Sequence, residues 1–500
     1  MTRQSLSRFL SDRRELRTFM TLPFDVDQAA SATRKEARKL FARGNPVNRG
    51  KTQDFRRKLP KLVLKEGMRR FARLFAAMSL MGLAACATKP RPVPIPASPP
   101  GPAVQAPAPA PAPVAGGDEK FQAFVRDFQA TALARGVTAE TYAKAMTGIA
   151  PIPTINTIIA EQPEFVRPVW AYLDSAVSPR RVNDAKLLLN QNAALLTDIE
   201  ARYGVPKEIL VAIWGMETNY GRNLGSYNLF AALATQAYDG NRQGFARREL
   251  IAALLLLQQN DYLPSQMVSS WAGAFGQTQF IPSTFFKYAA DGDGDGKIDL
   301  WHSTADALAS TAQLFQREGW QAGKAWVYEV SLPKDFAYQD ADLGTLKPLS
   351  EWSARGITLF SGGALPIGDD MAALYLPAGA NGPALLTLNN FRMIMKYNNA
   401  ASYALAVGLL ADRAMDRPGV QAPWPRSEKP LSRAERLRFQ TDLAALGYDT
   451  GELDGLLGRK TREALRAYQA SRGLVADAYP TQAMLTLLDG DATKATTKID

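Results

Sequence analysis

The stretch Trp214-Gly215-Met216-Glu217-Thr218-Asn219-Tyr220-Gly221-Arg222-Asn223 ends a helical segment and carries a single acid, Glu217. Just upstream, Val205-Pro206-Lys207-Glu208 has the signals of a helix start, a proline near the first turn and an early acid. Ile209, Ile213 and Glu217 follow at four-residue steps, which places the carboxylate on the stripe that otherwise buries aliphatic side chains. Gly221 and the polar run after it end the helix. Removing a carboxyl from water disfavours its charged form and raises its pKa. A carboxyl still protonated near neutral pH is what general-acid cleavage of a glycosidic bond requires. On spacing alone, the same position suits a buried structural glutamate satisfied by hydrogen bonds.

Composition narrows the chemistry around this acid. The 500 residues suggest two to four domains, at ~150 residues per domain. The formal charge of +11 is concentrated at one end: residues 1–67 hold 17 of the 59 Lys and Arg but only 7 of the 48 Asp and Glu. The rest of the chain is close to neutral, so no basic face for nucleic acid is implied. One Cys and one His exclude an intramolecular disulfide and a zinc site built from several His or Cys. A Ser-His-Asp or Cys-His site would have to use His302. Carboxylates remain as the catalytic groups.

The amino-terminal quarter reads as processing and tether. Residues 1–67 are basic and polar, and Met68 opens a basic run, an apolar run from Leu74 to Ala85, and Cys86. That order describes a secretory signal, with an apolar run too short for a membrane-spanning helix. Leu83-Ala84-Ala85-Cys86 resembles the bacterial lipobox, which implies that residues 68–86 are a lipoprotein signal and that Cys86 is lipidated. A signal placed behind 67 residues points to translation starting at Met68, with 1–67 a misassigned extension. Residues 87–117 form a tether; from Lys89 to Gly117 it has 11 prolines, and an extended polyproline chain of that length reaches ~90 Å. Ala87 stands where an Asp commonly retains such lipoproteins in the inner membrane, so the resemblance favours a periplasmic protein on the outer membrane.

Residues 118–417 read as one mostly helical domain. Helical patterns cover 121–135, 138–146, 166–174, 184–203, 247–259, 283–290, 305–318 and 391–412. Strand patterns at 327–332, 373–376 and 384–388 add a small β element, the last two flanking a loop of Pro, Gly and Asn. Three separated motifs then carry a resemblance. Trp214 to Asn223, Ser270-Trp271-Ala272-Gly273-Ala274-Phe275-Gly276-Gln277-Thr278-Gln279-Phe280-Ile281-Pro282-Ser283, and Tyr397-Asn398-Asn399 with Tyr403 resemble the membrane-bound lytic transglycosylase B family, over about residues 119–415. The resemblance implies a lysozyme-like α fold with Glu217 as catalytic acid and base. It also implies that Ser270 and Gln279 help hold the carboxyl and substrate, and that Asn398 orients an N-acetyl group. Tyr397 and Tyr403 offer hydroxyls and ring faces suited to N-acetyl sugars, and Gly273 and Gly276 leave room for a sugar ring to approach the backbone.

Asp291-Gly292-Asp293-Gly294-Asp295-Gly296-Lys297-Ile298-Asp299 has the alternating acids and sixth-position glycine of an EF-hand loop. His302 stands at position 12, where a bidentate Glu is expected. The B family has a similar loop whose last acid arrives late, and Asp306 matches it. The implied ligands Asp291, Asp293, Asp295 and Asp306 would hold a structural Ca²⁺, with no cofactor needed for catalysis.

After a proline-bearing linker at 418–430, residues 431–490 resemble the small three-helix peptidoglycan-binding domain, through Leu437, the Leu443–Tyr448 turn, Asp454-Gly455, Thr461 and Tyr468-Gln469. Thr461 is placed to cap the helix running to Ser471. Asp477-Ala478 departs from the family's Asp-Gly, and 491–500 is left as a tail. The whole is a mainly α chain, lysozyme-like with a small β element and a three-helix end. Its expected activity is lytic cleavage of the MurNAc–GlcNAc bond of peptidoglycan, with glycan strands and, through the lipid, the membrane as partners. A muramidase-type hydrolase and a catalytically silent peptidoglycan-binding lipoprotein are the alternatives.

Overall fold

The computed structural model describes residues 119–153, 167–240 and 242–497. The expectations for the extension, signal, Cys86 and the whole of the tether lie outside them. Among the described residues no helix is long and apolar enough to cross a membrane.

Six helices lead to the central stretch: α1 (Glu119–Leu133), α2 (Ala139–Met146), α3 (Val169–Ala176), α4 (Pro179–Gln191), α5 (Ala193–Tyr203) and α6 (Lys207–Thr218). One continuous run was expected over 184–203. The chain instead breaks between α4 and α5 at Asn192, whose side-chain amide bonds back to the Leu188 carbonyl at 3.0 Å; such local competition is why Asn interrupts helices. α6 departs from an amphipathic stripe. Every residue from Glu208 to Gly215 is buried, so it is a central helix covered on all sides. It packs on α4, α5 and a later helix introduced below as α13.

Two further helices cross beside this layer, α7 (Leu229–Asp239) and α8 (Gln243–Gln259), packed on each other and preceded by the strand β1 (Tyr227–Asn228). α7 gave no periodic signal because Leu229, Phe230, Ala232, Leu233 and Ala234 are all buried; Asn228 starts it by accepting from the Phe230 and Ala231 amides at 3.0 and 3.1 Å. β2 (Val268–Ser269) pairs with β1, and α9 (Pro282–Tyr288) and α10 (Thr304–Glu318) complete this half.

A five-stranded antiparallel sheet follows, ordered β4-β6-β7-β3-β5. Its strands are β3 (Val327–Ser331), β4 (Leu346–Pro348), β5 (Thr358–Leu359), β6 (Met371–Tyr375) and β7 (Ala384–Thr387), with α11 (Leu349–Ala354) between β4 and β5. The three strands with clear patterns are its centre; the short edges β4 and β5 are too brief to show alternation. The sheet has its own core around Trp352, Leu374 and Leu386. The chain returns to the helical core in α12 (Asn389–Tyr397) and α13 (Ala401–Ala414). Here too a single expected run over 391–412 is broken, by Asn398, Asn399 and Ala400, and that break carries site residues.

The carboxy-terminal unit is three helices, α14 (Arg433–Ala445), α15 (Arg459–Ser471) and α16 (Gln482–Thr497), around Phe439, Leu443, Leu465, Tyr468 and Leu488. Gly458, not Thr461, is the cap residue of α15. Thr461 lies inside the helix, donating to the Thr450 carbonyl at 3.0 Å and accepting from Gln440 at 3.2 Å. Residues 491–497 are no tail: they continue α16, and Asp491 accepts from the Tyr468 hydroxyl at 2.7 Å. Ala478 takes the left-handed conformation, φ 57°, that the usual glycine would favour, held by its N–H to Gln469 Oε1 at 2.8 Å.

The 418–430 segment is strapped down. The Gln421 and Ala422 amides donate to the Glu329 carboxylate at 2.7–3.0 Å, Trp424 packs on Trp170, and Arg426 forks onto Asp174 at 2.6 and 2.9 Å. The terminal unit then docks on the sheet region: Asp477 accepts from the Ala380 amide at 2.9 Å, and Arg466 donates to the Ala341 carbonyl at 2.8 Å. Gly379, at φ 67°, makes room for this contact. A Cβ there would lie 2.6 Å from both Asp477 Oδ2 and Tyr479 Cβ. A Gly379→Ala change combines that clash with a strained φ, a cost of about 1–3 kcal/mol, and should speed tryptic cleavage after Arg426 by roughly tenfold or more. Limited proteolysis followed by mass spectrometry checks this; equal cleavage rates would show that the docked contact does not restrain the strap.

Candidate active site

Glu217 lies in the last turn of α6 and is only half-buried, unlike the run of sealed residues before it. The helix ends on three consecutive left-handed residues, Asn219 (φ 50°), Tyr220 (φ 64°) and Gly221 (φ 75°), of which only the glycine takes that conformation freely. The Tyr403 hydroxyl, from the first turn of α13, donates to Glu217 Oε1. Burial, then the charge of Glu217, push the Tyr403 phenol well above its ordinary pKa. Tyr403 therefore stays a donor and fixes the direction of the carboxyl, a role distinct from the sugar contact expected of it.

The second motif forms a tight turn facing this pair. Ser270 builds its entry: its amide donates to the Ala274 carbonyl at 2.8 Å and its hydroxyl accepts from the Ala274 amide at 3.2 Å. Gly273 and Gly276 do not leave space for a sugar. A Cβ on Gly273 would lie 2.4 Å from Leu233 Cδ2, and one on Gly276 2.7 Å from the Leu300 Cβ and carbonyl oxygen; both bare positions face protein packing. Gln279, at φ 52°, donates to the Gly276 carbonyl at 3.1 Å. Tyr397 ends α12 with its hydroxyl on the Thr278 carbonyl and its ring against Phe280 and Phe315. Burial, with the nearby charge of Glu217, raises its pKa too. Its hydroxyl supports the turn. Asn398 follows in extended conformation, half-buried, in the break between α12 and α13. Glu217, Tyr403, Tyr397 and the Thr278-Gln279 turn are thus brought together, with Ser270 at the turn's base.

A second acid is not offered by Glu249. It is buried on α8, and its two oxygens accept from the Ser283 amide and hydroxyl, each at 2.9 Å. Two residues that stand in the quoted motifs without an assigned role, Thr218 and Gln277, do belong here. Thr218, 1 % exposed, donates to the Gln277 carbonyl at 2.5 Å and accepts from the Gly221 amide at 2.9 Å. Nothing in their sequence separates a buried Thr or Gln of this kind from ordinary core packing.

The acidic loop gathers three of its four expected ligands. Asp291, Asp293 and Asp306 each bring a carboxylate oxygen within 4.8 Å of the others. Asp295 stays outside, exposed, accepting from the Lys297 amide at 2.8 Å. Position 12 is no ligand either: His302 is exposed and pairs with Asp299 at 2.8 Å. Asp306 is held by the Gly292 and Asp299 amides, both at 2.7 Å. Burial raises its pKa, those amides pull it down, and the facing Asp293 and Asp291 push it up again. Three like charges turned to one point, all oxygen donors, fit a hard divalent cation.

Comparison with known proteins agrees with this geometry. The model of the transglycosylase SLT domain matches residues 120–412, and that of a peptidoglycan binding domain matches residues 432–488. Membrane-bound lytic murein transglycosylase B of Escherichia coli (strain K12) is 33 % identical over 244 residues, 47 % of this chain and 64 % of that protein; the match thus spans a little under two thirds of that relative. The crystal structure of SltB3 from Pseudomonas aeruginosa in complex with NAG-anhNAM-pentapeptide is 48 % identical with a TM-score of 0.72, covering 74 % of this chain and 100 % of that one. The Escherichia coli lytic transglycosylase Slt35 in complex with calcium is 27 % identical with a TM-score of 0.52, covering 60 % and 95 %. With well over half its length matched by one model, the chain belongs to the transglycosylase SLT domain family.

Proposed function

We propose that the protein is a lytic murein transglycosylase cleaving the β-1,4 bond between N-acetylmuramic acid and N-acetylglucosamine. The observation that carries this is the half-exposed Glu217 held by Tyr403 at the end of a buried helix, with Glu249 spent elsewhere. A single acid then serves both steps, in contrast to the carboxylate pair of ordinary glycosidases. Protonated Glu217 donates to the leaving glycosidic oxygen. The substrate's own acetamido oxygen supports the cationic anomeric carbon, and Asn398 orients that group. Glu217, now a carboxylate, removes the proton from the muramyl C6 hydroxyl, whose oxygen attacks C1 and closes the 1,6-anhydro ring. Similarity to the SltB3 complex supports the substrate, and the 432–488 unit supports a hold on the glycan.

Glu217→Gln keeps the size and polarity of the side chain but carries no transferable proton. General acid–base catalysis is worth ~10²–10⁴-fold, and release of muropeptides from purified sacculi should fall at least that far while circular dichroism stays unchanged. A folded Glu217→Gln protein still releasing anhydro-muropeptides near the wild-type rate would show that the acid lies elsewhere. Products heavier by one water than the anhydro form would instead indicate a hydrolase, and no products from the wild type a binding protein.

Asp291, Asp293 and Asp306 would hold a calcium ion, whose contribution is to neutralise their mutual repulsion and tie the loop to α10; it takes no part in the proton transfers. An ion bound only by the folded state adds about 2.7 kcal/mol at a hundred times its Kd, about 5 °C in melting temperature for a domain of this size. Chelation should remove that increment. Asp293→Asn should abolish the response and Asp295→Asn leave most of it, as calorimetry with and without calcium would record. Identical melting curves for the wild type with calcium and with chelator reject the ion.

The relative's membrane association and the lipobox-like Leu83-Ala84-Ala85-Cys86 together support a lipid anchor on Cys86, on the periplasmic face of the outer membrane, with the proline-rich tether between anchor and enzyme. Mass spectrometry of the mature amino terminus should find acylated Cys86. A mature form that retains residues ahead of Cys86 counts against it.

A further inference from the structure

Gln277 has all four of its polar groups engaged while only 6 % exposed. Its amide donates to the Leu300 carbonyl at 2.8 Å, its side-chain nitrogen to the Trp301 carbonyl at 3.4 Å, and its side-chain oxygen accepts from Thr304 at 3.1 Å. All three partners lie between Asp299 and Asp306. The fourth group, the Gln277 carbonyl, accepts from Thr218, the residue after Glu217. The same Thr218 hydroxyl receives the Gly221 amide and so closes the left-handed turn Asn219-Tyr220-Gly221. The Asn219 and Tyr220 amides reach back to the Gly215 and Trp214 carbonyls, both at 3.2 Å, and the Tyr220 hydroxyl donates to the Arg181 carbonyl at 2.7 Å. The Thr218 hydroxyl is the side-chain link that joins this turn, in a conformation L-amino acids avoid, to Gln277.

We propose that Thr218 is a positioning residue for catalysis, its hydroxyl locking the end of α6 to Gln277 so that Glu217 meets Tyr403 and the bond to be cleaved in one geometry. The backbone of Glu217 has helix on one side and the strained turn on the other. A hydroxyl bonded on both its donor and acceptor sides fixes the junction between them. Through Gln277 that junction is seated on the last segment of the acidic loop, which explains why a loop remote in sequence is built into the same half of the fold. Thr218 touches neither sugar nor the transferred proton; it acts through Glu217.

Thr218→Val is nearly isosteric and deletes only the hydroxyl function, whereas Thr218→Ser keeps the hydroxyl and loses the methyl. A displacement of about 1 Å at a reacting group can cost ~10²-fold, so kcat of Thr218→Val should fall roughly ten- to a hundredfold on a soluble glycan fragment with KM little changed. Thr218→Ser should stay within about threefold of wild type, the scale of a tolerated rotamer adjustment. Were Thr218 only a packing residue, loss of its methyl would matter as much as loss of its hydroxyl, and activity would follow melting temperature. A Thr218→Val enzyme with wild-type kcat, or a Thr218→Ser enzyme as impaired as Thr218→Val, overturns the assignment. Should Thr218→Val not fold, Thr218→Ala, which only removes atoms, is measured against Thr218→Ser in the same way. The inference rests on Glu217 as the acid. Glu217→Gln tests that separately, since an active Glu217→Gln enzyme defeats the acid assignment whatever Thr218 does.

Discussion

A helix buried on every side has only its ends for chemistry, and α6 is such a helix. Its interior residues, Ile209 to Trp214, each remove apolar surface from water at about 25 cal/mol per Å², so the helix cannot slide or rotate without opening the core. Rigidity bought there is delivered to one residue, the half-exposed Glu217. Most of the surrounding structure can be read as a means of closing this helix off. α4, α5 and α13 cover its sides, and α13 adds the hydroxyl that aims the carboxyl. Arg417 ties Glu208 at the other end of the helix to Asp412 of α13, at 2.7 and 2.8 Å.

The legible part of the molecule was the part written in local pattern. The start of α6 and the central strands of the sheet follow from turn residues and alternation, and the three terminal helices from a resemblance in local motif. Glu217 stood out because an acid on an apolar stripe is costly unless used. The failures lie where apolar periodicity hides a local break or where tertiary contacts leave no local trace. Asn192 and the Asn398-Asn399 pair split helices whose apolar periodicity runs straight through them. α7 is hidden because it is apolar on all faces. Gly273 and Gly276 gave a correct signal of crowding with the wrong neighbour, since sequence cannot say whether a missing Cβ accommodates Leu233 and Leu300 or a ligand.

Site residues divide in the same way. Tyr397 and Tyr403 were recognisable by resemblance, but their tasks were not: one hydroxyl donates to the Thr278 carbonyl and the other to the Glu217 carboxyl. The acidic loop was evident from alternating aspartates, yet the fold selects Asp306 over Asp295, because Asp306 is turned inward on a buried helix while Asp295 stays in solvent. Thr218 and Gln277 stood inside the motifs with no sign of their role. Their importance is a matter of which buried donor meets which buried carbonyl, 59 residues apart.

The strapped segment at 418–430 changes how the two glycan-facing parts add up. Two modules on a slack linker help each other through an effective concentration that depends smoothly on linker length, and nearly any spacing on the substrate can be bridged. Here the spacing is set by Glu329, Asp174 and the Asp477–Ala380 contact. Avidity then becomes a matter of matching a fixed interval: a strand able to reach both surfaces without bending gains the full benefit, and one that cannot gains none. On the proposed function, the terminal unit would act as a gauge on the architecture of the polymer as well as a grip on its chemistry.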